Sequence, residues 1–217
     1  MRKVWLFAAL VICSLDSIAA GKTKLDRLLT AEMLGVQRDY FEQISGIAKR
    51  VSGNYREYDI GGCIVSITED KQRSISSIAL ANLSPRCTFD ASKIYLDGPA
   101  HKLTFNKLNE MNIGGGARES CFGLCGNAIE PDYGLDVQTP HVMNFIEYSA
   151  SVGYSKESAP AVESLQAKLQ KRFPGVELYG DYLGTKIPKK IYNEMWMKEF
   201  GNVRINSIQF GHQIVNN

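Results

Sequence analysis

The chain has 217 residues, 44% of them hydrophobic, with 25 Lys and Arg against 23 Asp and Glu. That apolar content supports a packed core and excludes a disordered chain. The net charge of +2 comes with no clustered basic face, which excludes a nucleic-acid footprint.

The first twenty residues read as a secretory signal peptide. Arg2 and Lys3 precede the apolar run Val4 to Cys13, and Ser17-Ile18-Ala19 and Ile18-Ala19-Ala20 offer small-residue cleavage sites. The run is too short to span a bilayer, and no later stretch approaches the ~20 residues a span needs. The mature chain is therefore expected in the periplasm or the medium. Leu10-Val11-Ile12-Cys13 resembles a lipoprotein cleavage box, although Ile12 stands where a small residue is usual. Outer-membrane anchoring is expected only if Cys13 carries a lipid.

Lys22 to Val51 has apolar residues at steps of three and four: Leu25, Leu28, Leu29, Met33, Tyr40, Phe41, Ile44, Ile47 and Ala48. This spacing predicts two helices with one buried face and a turn near Gly35-Val36. Gln37 and Asp39 fall in the first turn of the second helix, where side-chain oxygens satisfy free amides. Gly46 falls near its end. Tyr55 to Asp59 alternates weakly. Cys63 to Ile67 reads as a strand apolar on both sides, and Ser74 to Leu80 as a half-buried strand. Glu69 to Arg73 lies between them as a polar hairpin loop. Residues 21–98 thus form an αα-ββ unit, and residues 99–217 a second α+β unit.

In the second unit, Leu103 to Met111 starts a helical pattern that Gly114-Gly115-Gly116 breaks. Ala117 to Leu124 resumes it, placing Cys121 and Cys125 one helical turn apart. A polar loop is expected over Gly126 to Pro140, and a strand over Met143 to Val152. A helix follows over Ala159 to Phe173, with Val162, Leu165, Leu169 and Phe173 on its apolar face and Pro174-Gly175 stopping it. A short helix over Ile191 to Phe200 and a last strand over Val203 to Val215 complete the chain. The fold class expected is α+β, with antiparallel sheets and helices packed on one face, as tandem αα-ββ units.

The order of elements in the first unit, with Gly35 before a polar-started helix, Gly46 at its end and two strands following, resembles the αα-ββ module of small bacterial envelope proteins. These include the SmpA/OmlA outer-membrane assembly lipoproteins. The β-lactamase inhibitory proteins carry two such modules, each stapled by a disulfide. Leu103 to Ile113 looks like the opening of a second module. Ile47 and Ala48 stand where the family has a proline after the helix glycine, and the triple glycine replaces its compact turn. The resemblance implies a protein-binding role and no reaction.

The five cysteines include Cys13 in the leader. Outside the cytoplasm the other four read as disulfides. Three pairings are open to them, of which Cys63–Cys87 and Cys121–Cys125 are favoured. Cys121 to Cys125 is one residue too long for a CxxC redox pair, and Cys63 and Cys87 are not a close pair of the kind zinc needs. The triple glycine lacks the Lys and Ser/Thr of a phosphate loop and reads as a tight connection. His101, His141 and His212 have no ligand spacing, and no nucleophile elbow supports a triad. Glu130, Asp132 and Asp136 read as carboxylates of a solvated loop. No catalytic residue, metal or cofactor is implied.

A partner-binding patch is sought where aromatics concentrate: Tyr179, Tyr182, Tyr192 and Trp196, among lysines. The competing reading packs Trp196 and Phe200, at i and i+4, on the sheet. The leading expectation is a non-enzymatic binding or assembly module of the bacterial envelope, with an envelope protein as partner. The alternatives are a periplasmic hydrolase using the Gly114–Gly116 and Gly126–Pro140 loops, and a small-ligand binder using a cleft between the units.

Overall fold

The structure, a computed structural model, describes residues 24–119, 131–140, 143–176, 178 and 187–215. The leader with Cys13, together with Cys121, Cys125, Glu130, His141, Tyr179 and Tyr182, lies outside the described residues. The chain divides into two units, one ending at His101 and the other beginning at Lys102. Both pair antiparallel strands and bury apolar residues of helices and strands, so the fold is α+β.

In the first unit residues 24–28 are helical, and Leu25, Leu28 and Leu29 are buried. One 3-10 turn, Ala31–Met33, leads to the bend at Gly35 and to helix α1, Arg38–Ser45. Phe41 and Ile44 face inward, and the Phe41 ring lies 5.1 Å from that of Tyr58. Gly46 ends α1 at φ +90°, a backbone that side chains with a Cβ rarely adopt. Two expectations are corrected here. Gln37 precedes α1 but makes no cap; its Nε2 donates to Ser74 Oγ at 2.9 Å. Tyr40 and Ile47 are 48% and 91% exposed rather than part of the buried face. Adjacent residues on a helix point about 100° apart, so Tyr40 and Phe41 do not both reach the core. Ile47 lies beyond the helix end.

Strands β1, Arg50–Ser52, β2, Tyr55–Ile60, β3, Cys63–Glu69, and β4, Ile75–Leu80, form an antiparallel meander. Burial along β3 alternates strictly, so Cys63, Val65 and Ile67 enter the core while Ile64, Ser66 and Thr68 stay half-exposed. The strand is therefore not apolar on both sides. Nor does Glu69 belong to a solvated loop. It closes β3 with 6% exposure, paired with Arg56 of β2 and 3.8 Å from Arg38 of α1. The turn begins at Asp70, whose Oδ1 accepts the amides of Gln72 and Ser74, each at 2.8 Å.

The Cys63–Cys87 disulfide is formed, with Cα atoms 5.4 Å apart and both residues buried. It ties the start of β3 to the segment after β4. Beside it, Asp59 holds the β2–β3 turn by pairing with Lys49 and accepting the Gly62 amide at 2.6 Å.

The second unit runs through α2, Phe105–Asn109, β5, Gly116–Glu119, β6, Asp132–Val137, β7, Glu147–Gly153, α3, Ala159–Arg172, α4, Lys189–Phe200, and β8, Ser207–Gly211. β5, β6, β7 and β8 pair in sequence order, all antiparallel. This order of elements differs from that of the first unit. Gly116–Glu119 is a strand, not part of a resumed helix, because its four residues pair in register with Tyr133 to Asp136. The expected loop over Gly126 to Pro140 contains β6: Tyr133, Leu135 and Val137 alternate into the core. β7 starts at Glu147, four residues later than expected, and β8 is confined to Ser207–Gly211. α3 matches its expected span except that it stops at Arg172, leaving Phe173 half-exposed beneath the Arg172 guanidinium.

Reducing the Cys63–Cys87 bridge frees a loop of about 25 residues, and Cys63→Ser/Cys87→Ser is expected to lose about 3 kcal/mol of stability in urea unfolding. The Lys49 bond, then the Gly62 amide bond, hold the Asp59 carboxyl below its ordinary range. Its stabilisation is therefore complete above the ordinary carboxylate pKa and is lost as pH falls through the lowered folded value. Unfolding of Asp59→Asn followed against pH should show a shallower acid limb than the parent.

Candidate protein-binding groove

The residues expected to form an exposed aromatic patch are core residues where they are described. Tyr192, Trp196 and Phe200 repeat every four residues on α4 and are buried at 1%, 0% and 0% exposure. Trp196 stacks on Phe200 at 4.6 Å and meets the Phe105 ring edge-on at 4.9 Å, while Tyr133 of β6 lies 5.3 Å from Phe200. The Tyr192 hydroxyl donates to Glu119 Oε2 at 2.8 Å. Burial, reinforced by that carboxylate, pushes the phenol above its ordinary range. The hydrophobic gain of covering these rings exceeds anything an exposed position offers. The alternative reading, with Trp196 and Phe200 packed inward, is the one the structure takes.

Several of the other sequence candidates are engaged in structure. Asn112 Oδ1 accepts the amides of Gly114 and Gly115 at 3.2 and 2.7 Å, so those amides do not cradle an anion. A Cβ at Gly115 would sit 1.9 Å from the Asp136 carbonyl oxygen, so close strand packing requires the glycine. Asp132 and Asp136 are not in a solvated loop. They share one face of β6 with Gly134 between them, and Arg118 lies over that glycine. The guanidinium bonds Asp132 at 3.1 Å and Asp136 at 3.0 Å, and Ser149 Oγ donates to Asp136 at 2.7 Å. Two carboxylates committed to one arginine form a brace rather than an acid–base pair. His101 meets Thr88 Oγ1 at 3.0 Å through its ring. His212 lies exposed just past β8, not within it.

A feature that the sequence reading missed lies beside α1. An open groove of about 560 Å³ runs between the 24–33 segment and this helix. Met33, Val36 and Ile44 supply its apolar lining, Tyr40 stands half-exposed in its wall, and Arg27 and Glu32 reach its rim. Asp26 and Lys93 also border it but are held internally: Lys93 Nζ donates to the Asp26 carbonyl at 2.5 Å, and Asp26 Oδ1 accepts the Asp90 amide at 3.0 Å. The sequence did carry a signal. Tyr40 and Phe41 are neighbours, so one of the two had to leave the core.

The groove depends on how α1 is seated. Arg38 of α1 reaches Glu69, and Glu42, one turn on, accepts the Tyr58 hydroxyl at 3.2 Å. These contacts, with the Phe41–Tyr58 packing, turn Phe41 toward the sheet and Tyr40 away from it.

Comparison with protein families, curated proteins and solved structures finds no match to this chain. Among the described residues no group of three or more His, Cys, Asp or Glu is placed to hold a metal, and no helix is long and apolar enough to cross a membrane.

The burial difference between the two aromatic sites predicts opposite outcomes in urea unfolding. Trp196→Ala should lose about 4 kcal/mol of stability, whereas Tyr40→Ala should change it by less than about 1 kcal/mol.

Proposed function

We propose that this chain is an exported, non-enzymatic protein-binding or assembly module of the bacterial envelope, periplasmic or secreted, and that the groove beside α1 holds its partner. The observation that carries this reading is the groove's make-up: an apolar lining, an accessible tyrosine and a charged rim. Protein interfaces combine the same parts, an aromatic anchor beside an apolar pocket with polar groups around it. Export is supported by the leader-like first twenty residues and by the Cys63–Cys87 bridge, since disulfides persist in oxidising compartments. The likeness of the first unit to the αα-ββ envelope modules supports the same setting.

The hydrolase reading has less to stand on. Its two loops were to supply free amides and paired carboxylates. The Gly114 and Gly115 amides are spent on Asn112, and Asp132 and Asp136 are spent on Arg118.

A photo-reactive residue placed at position 40 in cells exporting the protein tests the proposal. The expected result is a protein adduct at position 40 and none at the exposed Lys71 of the β3–β4 turn, with the adduct recovered from the envelope or medium fraction. Equal labelling at both positions, or none at position 40, would overturn the groove as the binding site.

A further inference from the structure

Resting on that reading, we infer that the groove's partner is a second copy of this chain, paired through a two-fold axis. The argument is one of charge. Four charged side chains border the groove. Asp26 and Lys93 are held in place by neutral backbone partners, the Asp90 amide and the Asp26 carbonyl, and keep their charges. Arg27 and Glu32 make no hydrogen bond or ion pair among the described residues. Two cations and two anions therefore share the rim of one apolar hollow, and Arg27 and Glu32 are the two whose side chains no internal bond holds.

A partner of a single charge sign suits this rim badly. An acidic surface gains from Arg27 and is repelled by Glu32, and a basic surface meets the reverse; like charges set against each other cost several kcal/mol. The fitting partner carries both signs at the spacing of Arg27 and Glu32. A second copy supplies them without further design. In a two-fold interface the same patch lies on both sides, and each residue meets its counterpart's neighbour. An axis running midway between the two side chains sets Arg27 of each copy against Glu32 of the other. Tyr40 and the apolar lining border the same groove, so the paired copies cover them in the same interface. The aliphatic and aromatic surface supplies the attraction, and the two ion pairs select the register.

The test is the mass of the purified exported chain, followed by sedimentation equilibrium across a concentration series. The parent is expected to dimerise with rising concentration. Arg27→Glu alone, and Glu32→Arg alone, each set two pairs of like charges in contact and should raise the dissociation constant about tenfold or more. The double variant Arg27→Glu/Glu32→Arg reverses both signs, restores both pairs and should return the constant to within a few-fold of the parent. Both residues are on the surface, and circular dichroism with the Cys63–Cys87 bridge intact confirms folding of each variant. A chain monomeric at every concentration, a dimer indifferent to either single change, or a double variant as weak as the singles would overturn self-pairing. A monomeric chain that still forms a position-40 adduct with a different protein overturns self-pairing alone and leaves the binding-module reading standing. Labelling that fails at position 40, even in a chain that dimerises, overturns the groove as the interface and with it the self-pairing through that groove.

Discussion

Glu69 closes a strand on the core side of its sheet, where a carboxylate has lost most of its water. An uncompensated charge there costs several kcal/mol, so the fold must bring cations to it. One comes from the neighbouring strand, where Arg56 is paired with it. The other comes from a different element: Arg38, on the first turn of α1, which also bonds Asp39 at 2.8 Å and approaches Glu42 at 3.8 Å. The demand of one buried carboxylate thus fixes where α1 starts on the sheet. Packing of Phe41 on Tyr58 then fixes its rotation. Once both are set, Tyr40 has no core position left, and the groove against the 24–33 segment follows.

The second unit uses arginine in the opposite way. Arg118 sits half-exposed across β6 and braces two aspartates, with Gly134 leaving space for its guanidinium. The apolar work is done on the other side, where Phe105, Tyr133, Trp196 and Phe200 pack ring against ring. Neither arrangement leaves a nucleophile beside a base. In both units these charges hold elements in place.

Much of this was legible residue by residue. The steps of three and four in Phe41 and Ile44, the stop at Gly46, the strands around Val65 and Ile78 and the helix through Val162, Leu165 and Leu169 all follow from local periodicity. The Cys63–Cys87 bridge was the favoured one of three open pairings, and the structure forms it. β5 and β6 were not legible because β5 begins at the last glycine of a triple-glycine break and β6 lies within a stretch rich in polar residues. Gly114 to Gly116 read as breakers and Gly126 to Pro140 as a polar loop, although Tyr133, Leu135 and Val137 alternate as strand residues do. Glycine there serves close approach of backbone and arginine, a need that arises only once the strands have paired. The aromatics of α4 were misplaced for a related reason. A run of Tyr, Trp and Lys suits a binding surface or an amphipathic helix equally, until a sheet lies beneath it.

The sequence by itself determined the class of fold and most of the helices and strands, because each rests on short-range spacing and on side-chain chemistry that the chain carries in any context. Tertiary structure alone decided which aromatics are core and which are surface, and that Glu69 is a buried anchor rather than a loop residue. It alone also brought Arg27, Glu32 and Tyr40 to one groove. Those outcomes depend on residues far apart in the chain competing for limited buried space and for a few compensating charges. Such a competition is settled only when the elements meet.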